Sequence, residues 1–132
     1  MPTLTKRNLA AIFLGGIVGT LLRAWLARHF EAAPAVWPWA IFAINISGSF
    51  VLASVATHLQ ANQHRSIYLR PLLGIGFCGA YTTFSTMQIE ILHMLDHNRY
   101  GLAAAYALVS ALAGYLAIWA GNKLVARMSV PT

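Results

Sequence analysis

Long uncharged runs, not an alternation of polar and apolar positions, dominate this chain. Four stretches stand out: residues 9–27, interrupted only by Arg23; 38–59, without a formal charge; 69–95, with Arg70 and Glu90 toward its ends; and 100–122, again uncharged. A helix needs about 20 apolar residues to cross a bilayer, and each stretch is long enough. Lipid cannot satisfy backbone groups, so spans are helices or closed barrels. The lack of period-two alternation selects helices. The connections at 31–37, 61–66 and 96–99 are short, which makes successive helices antiparallel neighbours. The predicted fold is an all-α membrane protein, with residues 1–132 forming a single domain of four transmembrane helices.

Composition agrees with lipid as the solvent. Of the 132 residues, 58% are hydrophobic and 9% charged, and the mean hydropathy is +0.62. A soluble domain carries about 25% charged residues. The net charge of +6 raises the question of nucleic acid, but a nucleic-acid reader clusters its basic residues on one face. Here Lys6, Arg7, Arg28, Arg65, Arg70, Arg99, Lys123 and Arg127 lie between, beyond or at the ends of the apolar runs, as topology signals do. Most of them fall on the side that holds the N-terminus, the second connection and the C-terminus, which favours both termini in the cytoplasm. Lys6 and Arg7 before an apolar run, with Glu31-Ala-Ala-Pro-Ala after it, have some character of a secretory signal. The run is long for one, and it is read as the first span. Cys78 is the single cysteine, so no intrachain disulfide forms, and a small packing residue is expected there.

Several constellations can carry chemistry. In the first span Gly15, Gly19 and Arg23 follow at intervals of four and share a helical face. Small residues there let another helix approach closely, which is the preferred reading of the glycines. A charge within a span faces protein or water, or snorkels to the interface, and both readings stand for Arg23. In the second span Asn45 and Ser49 are one turn apart. The amide either ties helices together or meets a polar solute, and taken alone it favours the tie.

The third span is the most informative. Gly74-Ile-Gly76-Phe77-Cys78-Gly79-Ala80-Tyr81-Thr82-Thr83-Phe84-Ser85-Thr86-Met87 places three glycines and four hydroxyl groups of Ser and Thr near mid-span. Such a sequence makes a poor continuous helix, and a break is expected near 79–83. Freed carbonyls suit a small cation, and a restarted helix N-terminus suits an anion. The competing reading is a packing kink whose hydroxyls bond back to the chain. Phe84 either packs or presents its electropositive ring edge to a pore. Glu90 either lines a vestibule or is a solvated charge at a helix end. In the fourth span Tyr106, Ser110 and Gly114 form a narrow stripe. His93 and His97, spaced to bind zinc, are read instead as a solvated helix end. No H-E-x-x-H, P-loop or G-x-S-x-G is present, and nothing argues for an enzyme.

Taken together, these residues resemble the Fluc/CrcB family of fluoride channels. The resemblance rests on Gly15-Gly16-x-x-Gly19-x-x-x-Arg23, on Asn45-x-x-Gly48-x-Phe50, on the run Gly76–Thr86, and on Tyr106 with Ser110. It implies a third helix broken near its middle and an antiparallel, dual-topology homodimer, with fluoride as the permeating ion and a sodium ion at the dimer centre. Carried over residue by residue, the carbonyls of Gly79 and Thr82 would hold the sodium. Asn45 would donate to fluoride and Phe84 would line the path by its ring edge. Ser85, Thr86, Tyr106 and Ser110 would supply a polar track, with Glu90 in the vestibule. Met87 stands where the family often has a second phenylalanine, and Ala80-Tyr81 replaces the usual Gly-Leu. A prokaryotic plasma membrane is the implied location.

The physics of the ion is compatible with this. A pore must replace tightly held water with donors, few of them fully charged, or the ion would not leave. Two other readings compete. A small multidrug transporter of dual orientation relies on a first-span carboxylate, whereas this first span holds Arg23 and no acid. A non-transporting assembly subunit would use Asn45, Phe84 and the hydroxyl run only to tie helices.

Overall fold

Helices make up nearly all of the described chain, and three of them are long and apolar enough to cross a membrane. The structure, a computed structural model, describes residues 5–62 and 67–128. Helix α1, Lys6–His29, starts at Thr5, whose hydroxyl accepts from the Asn8 amide at 3.3 Å. Helix α2, Trp39–Ala61, begins directly after Pro38, whose fixed φ suits a helix entry. Among the described residues no strand occurs. Arg65, one of the topology signals, lies outside them.

The third apolar stretch is laid out differently. A π-helical segment, Arg70–Cys78, runs into a short helix α3, Gly79–Tyr81. Thr82 and Thr83 then leave the helical path, with φ/ψ of −76/150° and −146/116°. Helix α4 restarts at Phe84 and continues to Asp96. Asn98, at a left-handed φ of 58°, reverses the chain. Asparagine tolerates that region better than most residues. The Arg99 amide closes the turn on the Met94 carbonyl at 2.7 Å. Helix α5, Tyr100–Met128, completes the chain. The architecture is that of a multi-pass membrane protein, and four passages fit it.

Two pairings organise the bundle: α1 lies along the π-helical segment and α3, and α2 lies along α5. The first is a backbone-to-backbone contact. A Cβ on Gly15 would run into the Leu72 carbonyl, and one on Gly19 into that of Phe77. From the opposite side, a Cβ on Gly76 would strike the backbone of Ile12. Small residues permit this approach, and dispersion between closely packed backbones replaces the hydrophobic drive that lipid does not provide. The interior is correspondingly small. Ile41, Ile44 and Tyr81 form one buried cluster, and Met94, Ala103 and Tyr106 another. Large apolar residues such as Phe13, Leu21, Leu108 and Leu112 point outward, as lipid or a further helix requires.

Neighbouring glycines in α1 therefore differ in what they tolerate. Gly15→Ala is expected to destabilise the fold by about 2 kcal/mol, a typical overpacking cost. Gly16→Ala meets only the Gly76 carbonyl at 4.0 Å and should stay within about 0.5 kcal/mol of the parent. Denaturant titration in detergent checks the contrast, and equal losses at both positions would refute it.

Candidate functional site

The site is built around the interruption at Thr82 and Thr83. A residue taken off the helical path inside a bundle strands its own N–H and C=O. Asn45 of α2 supplies partners for both. Its Nδ2 donates to the Thr83 carbonyl at 3.1 Å, and its Oδ1 accepts from the Thr83 amide at 2.8 Å. Thr83 is only 6% exposed, so these bonds replace water that cannot reach it.

The hydroxyls around the break are assigned by the same accounting. Thr83 caps α4, its Oγ1 accepting from the Thr86 amide at 3.3 Å and lying 3.0 Å from Thr86 Oγ1. Thr82 Oγ1 donates back to the Cys78 carbonyl at 2.9 Å. Tyr81 Oη and Ser47 Oγ are 3.1 Å apart and tie α3 to α2. Ser49 donates to its own helix at the Asn45 carbonyl, 2.8 Å away.

Two consequences follow for the backbone. In a continuous helix the Thr83 N–H would bond the Gly79 carbonyl. It bonds Asn45 instead, and the Gly79 carbonyl loses its usual donor. At the other edge, α4 begins with N–H groups that have no preceding turn. The Thr83 cap takes that of Thr86, leaving Phe84 and Ser85 at the positive end of the helix dipole. The interruption thus presents oxygen on one side and N–H on the other.

The remaining residues singled out in the sequence fall as follows. Gly79 is exposed, with no atom within 4 Å of where its Cβ would be. Phe84 is 69% exposed in the single chain, beside the exposed Ser85. Met87 packs against both buried clusters and bridges them. Tyr106 is fully buried, and its hydroxyl donates to Glu90 Oε2 at 2.7 Å. Glu90 also lines a cavity of about 410 Å³ with Arg28, Glu31, Thr86 and His93. Ser110, one turn beyond Tyr106, has a buried hydroxyl without a partner among the described residues. Arg23 is half-buried on α1 and likewise has no hydrogen-bond or carboxylate partner among them. The bonds place Asn45, Thr82, Thr83, Ser85 and Thr86 in one cluster, while Tyr106 and Glu90 form a separate pair.

Sequence reasoning passed over two residues. Thr83 was readable as an N-cap from its position before Phe84-Ser85-Thr86, a helix restart. Trp37 carries no such signal. Its ring stands edge-on to Tyr106 at 5.3 Å, and its Nε1 is buried without an acceptor among the described residues.

Residues 10–122 match the model of the family described as CrcB-like protein, Camphor Resistance (CrcB). The chain belongs to the CrcB family. It is 51% identical over 124 residues to Fluoride-specific ion channel FluC 1 of Mycolicibacterium paratuberculosis (strain ATCC BAA-968 / K-10), with 94% of each chain covered. Identity to Fluoride-specific ion channel FluC 1 of Mycobacterium tuberculosis (strain CDC 1551 / Oshkosh) is 45% over 130 residues, covering 98% of each. A more distant relative, Fluoride-specific ion channel FluC of Bacteroides fragilis (strain YCH46), is 35% identical over 122 residues. The family match spans the whole interrupted helix and the Asn45 clamp of this CrcB chain.

Removing the clamp should be costly. Asn45→Ala leaves both backbone groups of Thr83 buried and unpaired, an expected loss of about 3 kcal/mol. Asn45→Asp keeps an acceptor for the amide but faces the carbonyl with a second acceptor, so it should also destabilise. Unfolding titrations of the purified variants measure this, and parental stability in Asn45→Ala would exclude the clamp.

Proposed function

We propose that this CrcB-family chain is a fluoride-selective channel through which cytoplasmic fluoride leaves passively across the prokaryotic plasma membrane, giving fluoride resistance. The observation that carries the reading is the interrupted helix clamped by Asn45, in a chain that aligns almost end to end with relatives named fluoride-specific ion channels. The negative cell interior drives an anion outward without coupling to another reaction.

The donors near the break suit a strongly hydrated small anion. An amide nitrogen carries two hydrogens. One hydrogen of Asn45 Nδ2 goes to the Thr83 carbonyl, and the second is left for a passing ion. The residue can therefore tie the helices and donate. Ser85, Thr86 and the first N–H groups of α4 add neutral donors, and Phe84 adds the positive edge of its ring. Weak, repeated interactions of this kind allow an ion to enter and also to leave.

The functional unit in this reading is an antiparallel homodimer. The outward-facing Phe84 and the open flank of Gly79 then meet a second copy. Inverted pairing places identical broken helices together near the midplane. A sodium ion fits the released oxygens: the Gly79 carbonyl has lost its helical donor, and Thr82 lies in extended backbone. One chain offers too few such oxygens for a hard cation, which takes about 6 or more, and a second copy doubles them. The bound sodium would contribute a fixed positive charge between the two pathways. Arg23 adds a further cation on α1.

Purified protein in liposomes is expected to release loaded fluoride rapidly and to retain chloride, as followed with ion-selective electrodes. Release of neither ion from inserted protein would reject the channel reading. Phe84→Ala is expected to bring fluoride release to background while the dimer persists on size exclusion; parental flux would remove the ring-edge role. Exchanging sodium for a large organic cation during purification should weaken dimer or flux, and no change in either would count against the Gly79 and Thr82 site.

A further inference from the structure

Trp37 precedes α2 and packs its indole edge-on against Tyr106 at 5.3 Å and Phe42 at 5.5 Å. Its Nε1 is buried and has no hydrogen-bond partner among the described residues. An indole nitrogen has one proton to give and no lone pair to offer. Buried N–H groups are nearly always paired, and one left open in the fold calls for an acceptor from outside it. A cation cannot serve; water or an anion can.

The neighbouring Tyr106 makes that opening pointed. Its hydroxyl proton is given to Glu90 at 2.7 Å. In that arrangement the phenol oxygen shows a passing ion only lone pairs, which repel an anion. An anion at this level of the fold needs a donor from elsewhere. Trp37 is in contact with the same ring, and Ser110, one turn along α5, also has a buried, unpartnered polar atom.

We propose that the indole N–H of Trp37 is a fluoride-binding donor at the level of Tyr106, an inference that rests on the channel reading above. Tyr106 is then a positioning residue. It holds the Glu90 carboxylate by its proton and carries the indole on its ring. Because Trp37 only donates, it adds discrimination against cations that a hydroxyl, able to donate and accept, does not give.

The full-length protein tests this in two ways. Trp37→Phe keeps a ring against Tyr106 and removes only the donor. Fluoride efflux from liposomes is expected to fall about tenfold, as loss of one hydrogen bond to a charged ligand implies. The dimer should elute unchanged. Efflux equal to the parent overturns the proposal. Independently, the indole N–H signal of Trp37 in the parental protein is followed by proton–nitrogen NMR, assigned by elimination with Trp25→Phe, Trp39→Phe and Trp119→Phe. It should move with added sodium fluoride and stay in place with sodium chloride. A Trp37 signal unmoved by fluoride overturns the proposal even where Trp37→Phe does not fold. Parental liposomes that release no fluoride would instead reject the channel reading, while the NMR titration still judges the site.

Discussion

The arrangement of the third passage depends on one side-chain amide. An interruption inside a membrane bundle is ruinous unless its backbone groups are satisfied, because lipid offers neither donor nor acceptor. Asn45 pairs with Thr83 on both sides, much as a neighbouring strand would. Each unpaired group would cost about 1–3 kcal/mol. With that cost removed, Thr82 and Thr83 can stay extended, and the separate start of α4 is stable. The polarity of the break, oxygen before it and N–H after it, follows from the same pair of bonds.

Other contacts hold the break in place from the sides. Gly15 and Gly19 let α1 lie directly on the backbone before the interruption, and Gly48 leaves room in α2 for the Thr82 methyl group. Ser47 and Tyr81 add a second polar tie just before the break. The passage is thus gripped on both faces by helices that are themselves continuous. A continuous helix gains its backbone bonds locally and can serve as a wall; the interrupted one must be supported by its neighbours.

Much of this was legible in the sequence, and the reasons for the remainder are specific. Span positions follow from apolar length: 9–27 became Lys6–His29, 38–59 became Trp39–Ala61 and 100–122 became Tyr100–Met128. The ends moved outward because helices extend past the apolar core to their caps. The concentration of Gly and Thr at 74–86 pointed to a departure from regular helix. What it could not give was the partner. Whether Asn45 bonds Thr83 or a solute depends on how two helices distant in sequence are rotated, and periodicity carries no such information. The Tyr106–Glu90 bond hides for the same reason. Trp37 was missed because a tryptophan before a proline at a span entry reads as an interfacial anchor, and only packing shows its nitrogen turned into the protein.

The wide helix Arg70–Cys78 bears on how this chain can change over evolutionary time. Its bonds run from residue i to i+5, a pattern seen elsewhere mostly as single-turn bulges. Such a segment holds surplus chain, and deleting one residue would let the ladder close in ordinary α form without shortening another element. The deletion would nevertheless turn everything beyond it by about 100°. Gly76 would leave Ile12, and Thr83 would swing away from Asn45. The length of this segment therefore stores the alignment of the break, much as the tooth count of a gear stores its phase. Insertions and deletions are expected to accumulate in the connection at 31–37 and to be purged here, even where every substituted residue would be accepted.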